Sequence, residues 1–314
     1  MTSARKIILD CDPGVDDAIA LFLAFAAADH LSVLGVTTVA GNVALPLTTR
    51  NARMIRQLAG HTQVPIYAGC ARPMVRSAVQ ASDFHGATGL GTLAVFDASA
   101  PLADGHAVTF IIESLLRAPA GSVSLLITGP MTNVAMALVL EPRIASRIEE
   151  IIFMGGARLE GGNITASAEY NIYADPHAAH VVCSAGVRLV ALGLDATHQV
   201  RGTAARIGRI RALGSRCALA AAELLEFCNT LPGNLQGADG APLHDPCTVA
   251  YALRPDLFRA VPCYLRIETA AELTLGHSAV EFRPQSDHPM TALWVTHCDA
   301  DGIFSLLTEQ LAQL

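Results

Sequence analysis

The segment Ile8–Ala20, ILDCDPGVDDAIA, places four carboxylates, Asp10, Asp12, Asp16 and Asp17, within eight positions. An apolar run precedes them and another follows. Carboxylates this close repel one another, so the fold must gain something by gathering them. So many hard oxygen donors suit Ca²⁺ or Mg²⁺ rather than zinc, and a divalent ion would offset the repulsion. Backbone capping and the preference of acids for helix starts explain one or two of these aspartates, not four.

Something must hold those side chains in place. Short β-rich apolar runs recur at Ile7–Leu9, Leu31–Val39, Val64–Tyr67, Val123–Thr128, Ile151–Met154 and Val187–Leu192. Helix-like segments lie between them: Val15–Ala28, Leu45–Ala59, Ala107–Arg117, Met131–Leu140 and His177–Ser184. Continuous strands separated by helices predict parallel strands buried on both faces. The expected fold is α/β, a Rossmann-like doubly wound, mainly parallel sheet with helices on both faces, in a single domain over 1–314. After about residue 200 the pattern blurs into Ala- and Leu-rich helices, with further strands near Tyr264–Ile267 and Ala292–Val295. In such sheets ligands bind beyond the carboxyl ends of the strands, where Asp10 and Asp12 fall. Period-2 geometry turns these two side chains to one side and Cys11 to the other. Pro13-Gly14 makes the turn, and Asp16 and Asp17 open the next helix, whose positive end offsets part of their charge.

Composition narrows the function classes. With 52 % hydrophobic and 16 % charged residues, the chain can fill a large core. A net charge of −7 and the lack of a basic stripe argue against a nucleic-acid partner. The longest apolar run, Ala18–Ala28, is too short to span a bilayer. MTSARKIILD runs straight into the first strand without a secretory signal, and the eight cysteines form no CxxC pair. Reduced thiols in the cytoplasm are therefore expected.

The single lysine, Lys6, removes several chemistries at once, among them a P-loop and a Schiff base. A Mg²⁺-dependent aspartyl-phosphate phosphohydrolase also carries a DxD after its first strand, but it needs a downstream lysine on the phosphoryl oxygens. Lys6 precedes the cluster by about 13 Å of extended chain. No GxSxG elbow is present, and GLGTLA (Gly89–Ala94) follows DFHGAT rather than a strand, so it reads as a loop and not a dinucleotide site.

DCDPGVDDA resembles the signature of the inosine–uridine-type nucleoside hydrolases, calcium-dependent N-ribohydrolases. The resemblance continues through TTVAGN (Thr37–Asn42), FHGATGLG (Phe84–Gly91), ITGPMTN (Ile127–Asn133), MGGARLEGGNITASAEYNIYADP (Met154–Pro176) and GAPLHDP (Gly240–Pro246). It implies a Ca²⁺ ion held by Asp12, Asp17, the Thr128 main-chain carbonyl and Asp245, with positions left for water and for sugar hydroxyls. Asp10 would orient its neighbours from outside this set. Asp245-Pro246 and Asp175-Pro176 both also read as a helix cap followed by proline, and at Asp175 the cap is the expected role.

The resemblance further implies a ribonucleoside substrate, its ribose bound by Asp16, Asn42, Met154, Asn163, Glu169 and Asn171. Asp12 would take the proton of the attacking water. His244 would assist the departing base as an acid, with His85 nearby, since an unperturbed histidine titrates close to neutrality. His177 and His180, at i and i+3, are expected to be ordinary helix residues. Family members often carry aromatics before HDP, but none lies between Cys228 and His244, and Phe227 is the last. Base preference stays open, inclining to pyrimidines. The glycine-rich segments Gly86–Gly91 and Gly233–Gly240 are expected to move over the site. A homodimer or homotetramer is implied. The competing readings are a calcium-dependent ribose-binding protein without turnover and the phosphohydrolase.

Overall fold

The computed structural model describes residues 4–231, 239–284 and 289–314. Its strands are β1 (Arg5–Cys11), β2 (Leu31–Thr38), β3 (Ile66–Ala68), β4 (Val123–Ile127), β5 (Ile148–Met154), β6 (Leu189–Leu192), β7 (Arg201–Gly202), β8 (Ala241–Pro242), β9 (Phe258–Ile267), β10 (Ser278–Glu281) and β11 (Ala292–Cys298). Nine of them form one sheet in the order β10-β9-β11-β6-β5-β4-β1-β2-β3, while β7 and β8 make a separate pair.

From β3 to β6 the order is 3-2-1-4-5-6, with every pairing parallel. This is the doubly wound order, and chain direction across the sheet reverses between β1 and β4. In open parallel sheets such a reversal sets a crevice beyond the strand ends. Beyond β6 the sheet continues with parallel β11 and then antiparallel β9 and β10. The blurred pattern after residue 200 has this origin: antiparallel edge strands are no longer buried on both faces, and β9 alternates exposed with buried residues.

The pleat of β1 sorts its residues between two cores. Ile7, Leu9 and Cys11 join one cluster and Ile8 the other. Helix α1 (Val15–Ala26) lies in the first cluster and is buried on nearly all sides. That accounts for its almost unbroken apolar sequence, since a helix covered all round needs no polar face. Helix α2 (Leu45–Leu58) is amphipathic and follows β2. No helix among the described residues is long and apolar enough to cross a membrane.

Candidate active site

Asp10 is the next-to-last residue of β1 and Asp12 directly follows the strand, so both lie at the reversal of the sheet. Asp10 Oδ1 accepts from Thr37 Oγ1 (2.5 Å) on β2 and from Asn133 Nδ2 (2.8 Å) beyond β4. Asn133 also donates to the Thr38 carbonyl, and its own Oδ1 accepts from Cys70 N. Asp10 thereby ties the ends of β1 and β2 to the start of helix Thr132–Leu140.

Asp12 is wholly buried. Its Oδ2 accepts from Asn42 N at 2.7 Å, while Oδ1 has no partner among the described residues. Gly41 and Gly129 wall this carboxylate: a Cβ on either would collide with it. Gly129→Ala is therefore expected to displace Asp12 and lower kcat/KM about 100-fold, the scale of a misplacement near 1 Å. Steady-state kinetics beside calcium titration calorimetry check this; unchanged values in both would rule out a tight fit around Asp12.

Asp16 and Asp17 fall in the first turn of α1. Asp17 Oδ1 accepts from Thr128 Oγ1 (2.7 Å), and Oδ2 accepts from Gly14 N (3.0 Å) and Asn42 Nδ2 (3.1 Å). Asp245 arrives from the start of helix Pro246–Leu253. It makes no side-chain cap bond there, so the capping alternative for Asp245 does not hold. Asp175 does cap, accepting from Ala178 N at 3.0 Å. Oxygens of Asp16, Asp17 and Asp245 lie within 4.8 Å of one another. An acidic cluster able to hold a metal ion is thus present, and Asp16, expected to contact only the sugar, is one of its members. His177 and His180 sit on helix Pro176–Cys183, outside the cluster.

The electrostatics agree. Burial, then the charge of Asp17, pushes Asp12 well above the carboxylate range; burial, then Asp16, does the same to Asp245. Asp17 rises to about 7, through burial and then Asp16, and Asp10 to about 7 through burial. A cation among them would reverse this trend.

The other expected residues are mostly gathered here. Asn171 Nδ2 donates to the Thr128 carbonyl (2.8 Å) and the Met154 carbonyl (3.2 Å). Glu169 caps helix Tyr170–Ala174 through Asn171 N (2.8 Å) and Ile172 N (3.2 Å) and also accepts from Gly156 N (3.0 Å). Burial raises it to about 7. Asn42 braces Asp12 and Asp17 rather than a turn. Asn163 is the outlier, exposed and linked to the others by accepting from Tyr170 N.

His85 is buried, and its Nδ1 accepts from Val15 N at 3.1 Å, so its ring proton is on Nε2. His244 Nδ1 lies 2.8 Å from Thr197 Oγ1. Burial lowers His244 to about 4, away from the near-neutral value expected of an acid. In the loop Gly86–Gly91, Thr88 O accepts from Arg50 Nη2 and Asn51 Nδ2, both at 2.9 Å, Leu90 is buried, and Gly91 packs on Phe227. The Thr88 bonds join the loop to α2 in this conformation. The segment Gly233–Gly240 lies outside the described residues except for its last two.

Asn133, Thr37, Tyr170 and Thr197 belong to this site but were not singled out from sequence. A polar residue just past the carboxyl end of a predicted strand was the available signal for Asn133 and Thr197.

Residues 7–305 match the family model described as inosine-uridine preferring nucleoside hydrolase. The chain is 37 % identical to the inosine-uridine preferring nucleoside hydrolase of Crithidia fasciculata over 312 residues, covering 99 % of this chain and 98 % of that one. It is 39 % identical to the pyrimidine-specific ribonucleoside hydrolase RihA of Photobacterium profundum over 310 residues, covering 98 % and 99 %. Among solved structures, the purine-preferring ribonucleoside hydrolase from Gardnerella vaginalis superposes with a TM-score of 0.91 at 29 % identity over 98 % of each chain. With this coverage and the acidic crevice in place, the chain belongs to the inosine-uridine preferring nucleoside hydrolase family, hydrolases of N-glycosyl bonds.

Proposed function

We propose that the protein hydrolyses the N-glycosidic bond of ribonucleosides to ribose and free base. The observation carrying this reading is the wholly buried Asp12, one oxygen of which has no partner among the described residues, near the cluster of Asp16, Asp17 and Asp245 beyond the strand ends. Asp12, Asp17, Asp245 and the Thr128 carbonyl form an all-oxygen donor set that fits Ca²⁺. When bound, the ion offsets their repulsion and positions water and the ribose hydroxyls.

Asp12 takes the proton of the attacking water. Asp16, Asn42, Met154, Asn163, Glu169 and Asn171 hold the ribose, and the surrounding carboxylates stabilise positive charge developing on the sugar ring. His244 assists the departing base, with His85 beside it. Similarity to RihA supports an inclination to pyrimidine nucleosides. A homodimeric or homotetrameric enzyme in the cytoplasm completes the reading, by family resemblance.

Incubation with uridine and with inosine, followed by a reducing-sugar assay with and without EDTA, tests it. Sugar release that EDTA abolishes is expected. A rise in melting temperature without product would favour a ribose-binding protein, and phosphate release from p-nitrophenyl phosphate alone a phosphohydrolase.

A further inference from the structure

Thr197 ends the short helix Leu194–Thr197 that follows β6, and it is completely buried. Its hydroxyl lies 2.8 Å from His244 Nδ1, which is its side-chain partner among the described residues. A buried hydroxyl proton needs an acceptor, and an imidazole nitrogen accepts only where it carries a lone pair. Both requirements are met together when Thr197 donates and the His244 ring proton is on Nε2. The neighbouring His198 does not compete. Its ring lies 5.8 Å from that of His244, but its Nδ1 is engaged by Glu160 Oε2 at 2.8 Å. His85 follows the same arrangement through Val15 N.

We propose that Thr197 is a positioning residue: by donating to His244 Nδ1 it fixes the neutral Nε2–H tautomer, making Nε2 the hydrogen-bond donor offered to the leaving base. This rests on the hydrolase reading above and assigns His244 a defined part in it. As the C1′–N bond breaks, its electron pair goes to the base nitrogen and spreads over the base ring. The His244 Nε2–H donates a hydrogen bond to that charge, and the base then takes its proton from solvent. The water oxygen bonds to C1′, and its proton passes to Asp12 and on to solvent. Nucleoside and water become ribose and base, with nothing left over.

The test uses the full chain with calcium and compares Thr197→Val, which keeps the shape, with Thr197→Ser, which keeps the hydroxyl. On uridine, Thr197→Val is expected to lose about 10- to 100-fold in kcat, with KM changed less than about threefold. On p-nitrophenyl β-D-ribofuranoside, whose phenolate departs without help, the same variant should stay within about threefold of wild type. Thr197→Ser should restore uridine turnover. Equal losses on both substrates would make Thr197 merely structural and overturn the proposal, as would undiminished uridine turnover in Thr197→Val. Nitrogen-15 NMR of the histidine rings reads the tautomer without turnover. Nε2–H at His244 is expected in wild type and Thr197→Ser, and a mixture in Thr197→Val. Nδ1–H in wild type would overturn the proposal. A wild type that cleaves no nucleoside would instead sink the hydrolase reading, with the NMR still deciding on Thr197.

Discussion

Asp12→Asn should cut turnover of uridine or inosine by about 10²–10⁴-fold, the usual contribution of a positioned base. The same change should not destabilise the cation-free protein. The native carboxylate is wholly buried, faces Asp17, and leaves Oδ1 without a partner among the described residues. A carboxamide is neutral at every pH, and its oxygen can still accept from Asn42 N, which now meets Oδ2 at 2.7 Å. Activity lost while stability in EDTA holds or rises is the mark of a residue kept for chemistry rather than for folding. Paired kinetics and calorimetry check both halves. A variant that melts far lower in EDTA and regains full activity on cooling would assign Asp12 to the fold instead.

The second large effect is that of the cation and its dependence on pH. Asp10, Asp17 and Glu169 are raised to about 7 in the cation-free fold, and Asp12 and Asp245 are pushed well above the ordinary carboxylate range, in each case first by burial. These values lie above those of the unfolded chain, so the folded state binds more protons through the range above pH 4. Stability is then fully present below that range and falls as pH rises through about 7, at up to about 1.4 kcal/mol per pH unit for each such group. Calcium bound as proposed would compete with those protons, so its stabilisation is expected to grow with pH. It should reach about 2.7 kcal/mol at 100 times the dissociation constant. In EDTA the melting temperature should fall between pH 5 and pH 8; added CaCl₂ should raise it far more at pH 8, and chelation should abolish turnover. A calcium effect equal at both pH values would mean that the carboxylates are not the ligands.

The two predictions share a structural basis. Three of the acids, Asp10, Asp12 and Asp17, are held by backbone amides, threonine hydroxyls and asparagine amides, none of which carries a positive charge. Such donors orient a carboxylate without neutralising it, which is why the proposed reading gives the site a cation.

The local chain made much of this legible. Alternating apolar runs and helices imply a parallel sheet because strands buried on both faces can tolerate no polar side. The DCDPGVDD spacing places two acids at a strand end and two in a helix start, since period 2 and the helix turn leave no other arrangement. Asp175 before Pro176 reads as a cap for equally local reasons, and caps in the structure.

Tertiary structure alone decided the rest. Asp245 has the same local form as Asp175 but makes no cap bond; an oxygen of it lies instead within 4.8 Å of oxygens of Asp16 and Asp17, which come from near the amino terminus. The partners of the loop Gly86–Gly91, namely Asn51, Arg50 and Phe227 from two helices, were not legible in its glycine-rich sequence. Glu169 and His244 showed their residue types in the sequence, but not the depth at which they are buried or the donors that meet them. A residue's chemical type is a property of the chain. Its charge and the place of its proton depend on the surrounding dielectric and the atoms opposite it, and these are set only when distant segments pack together.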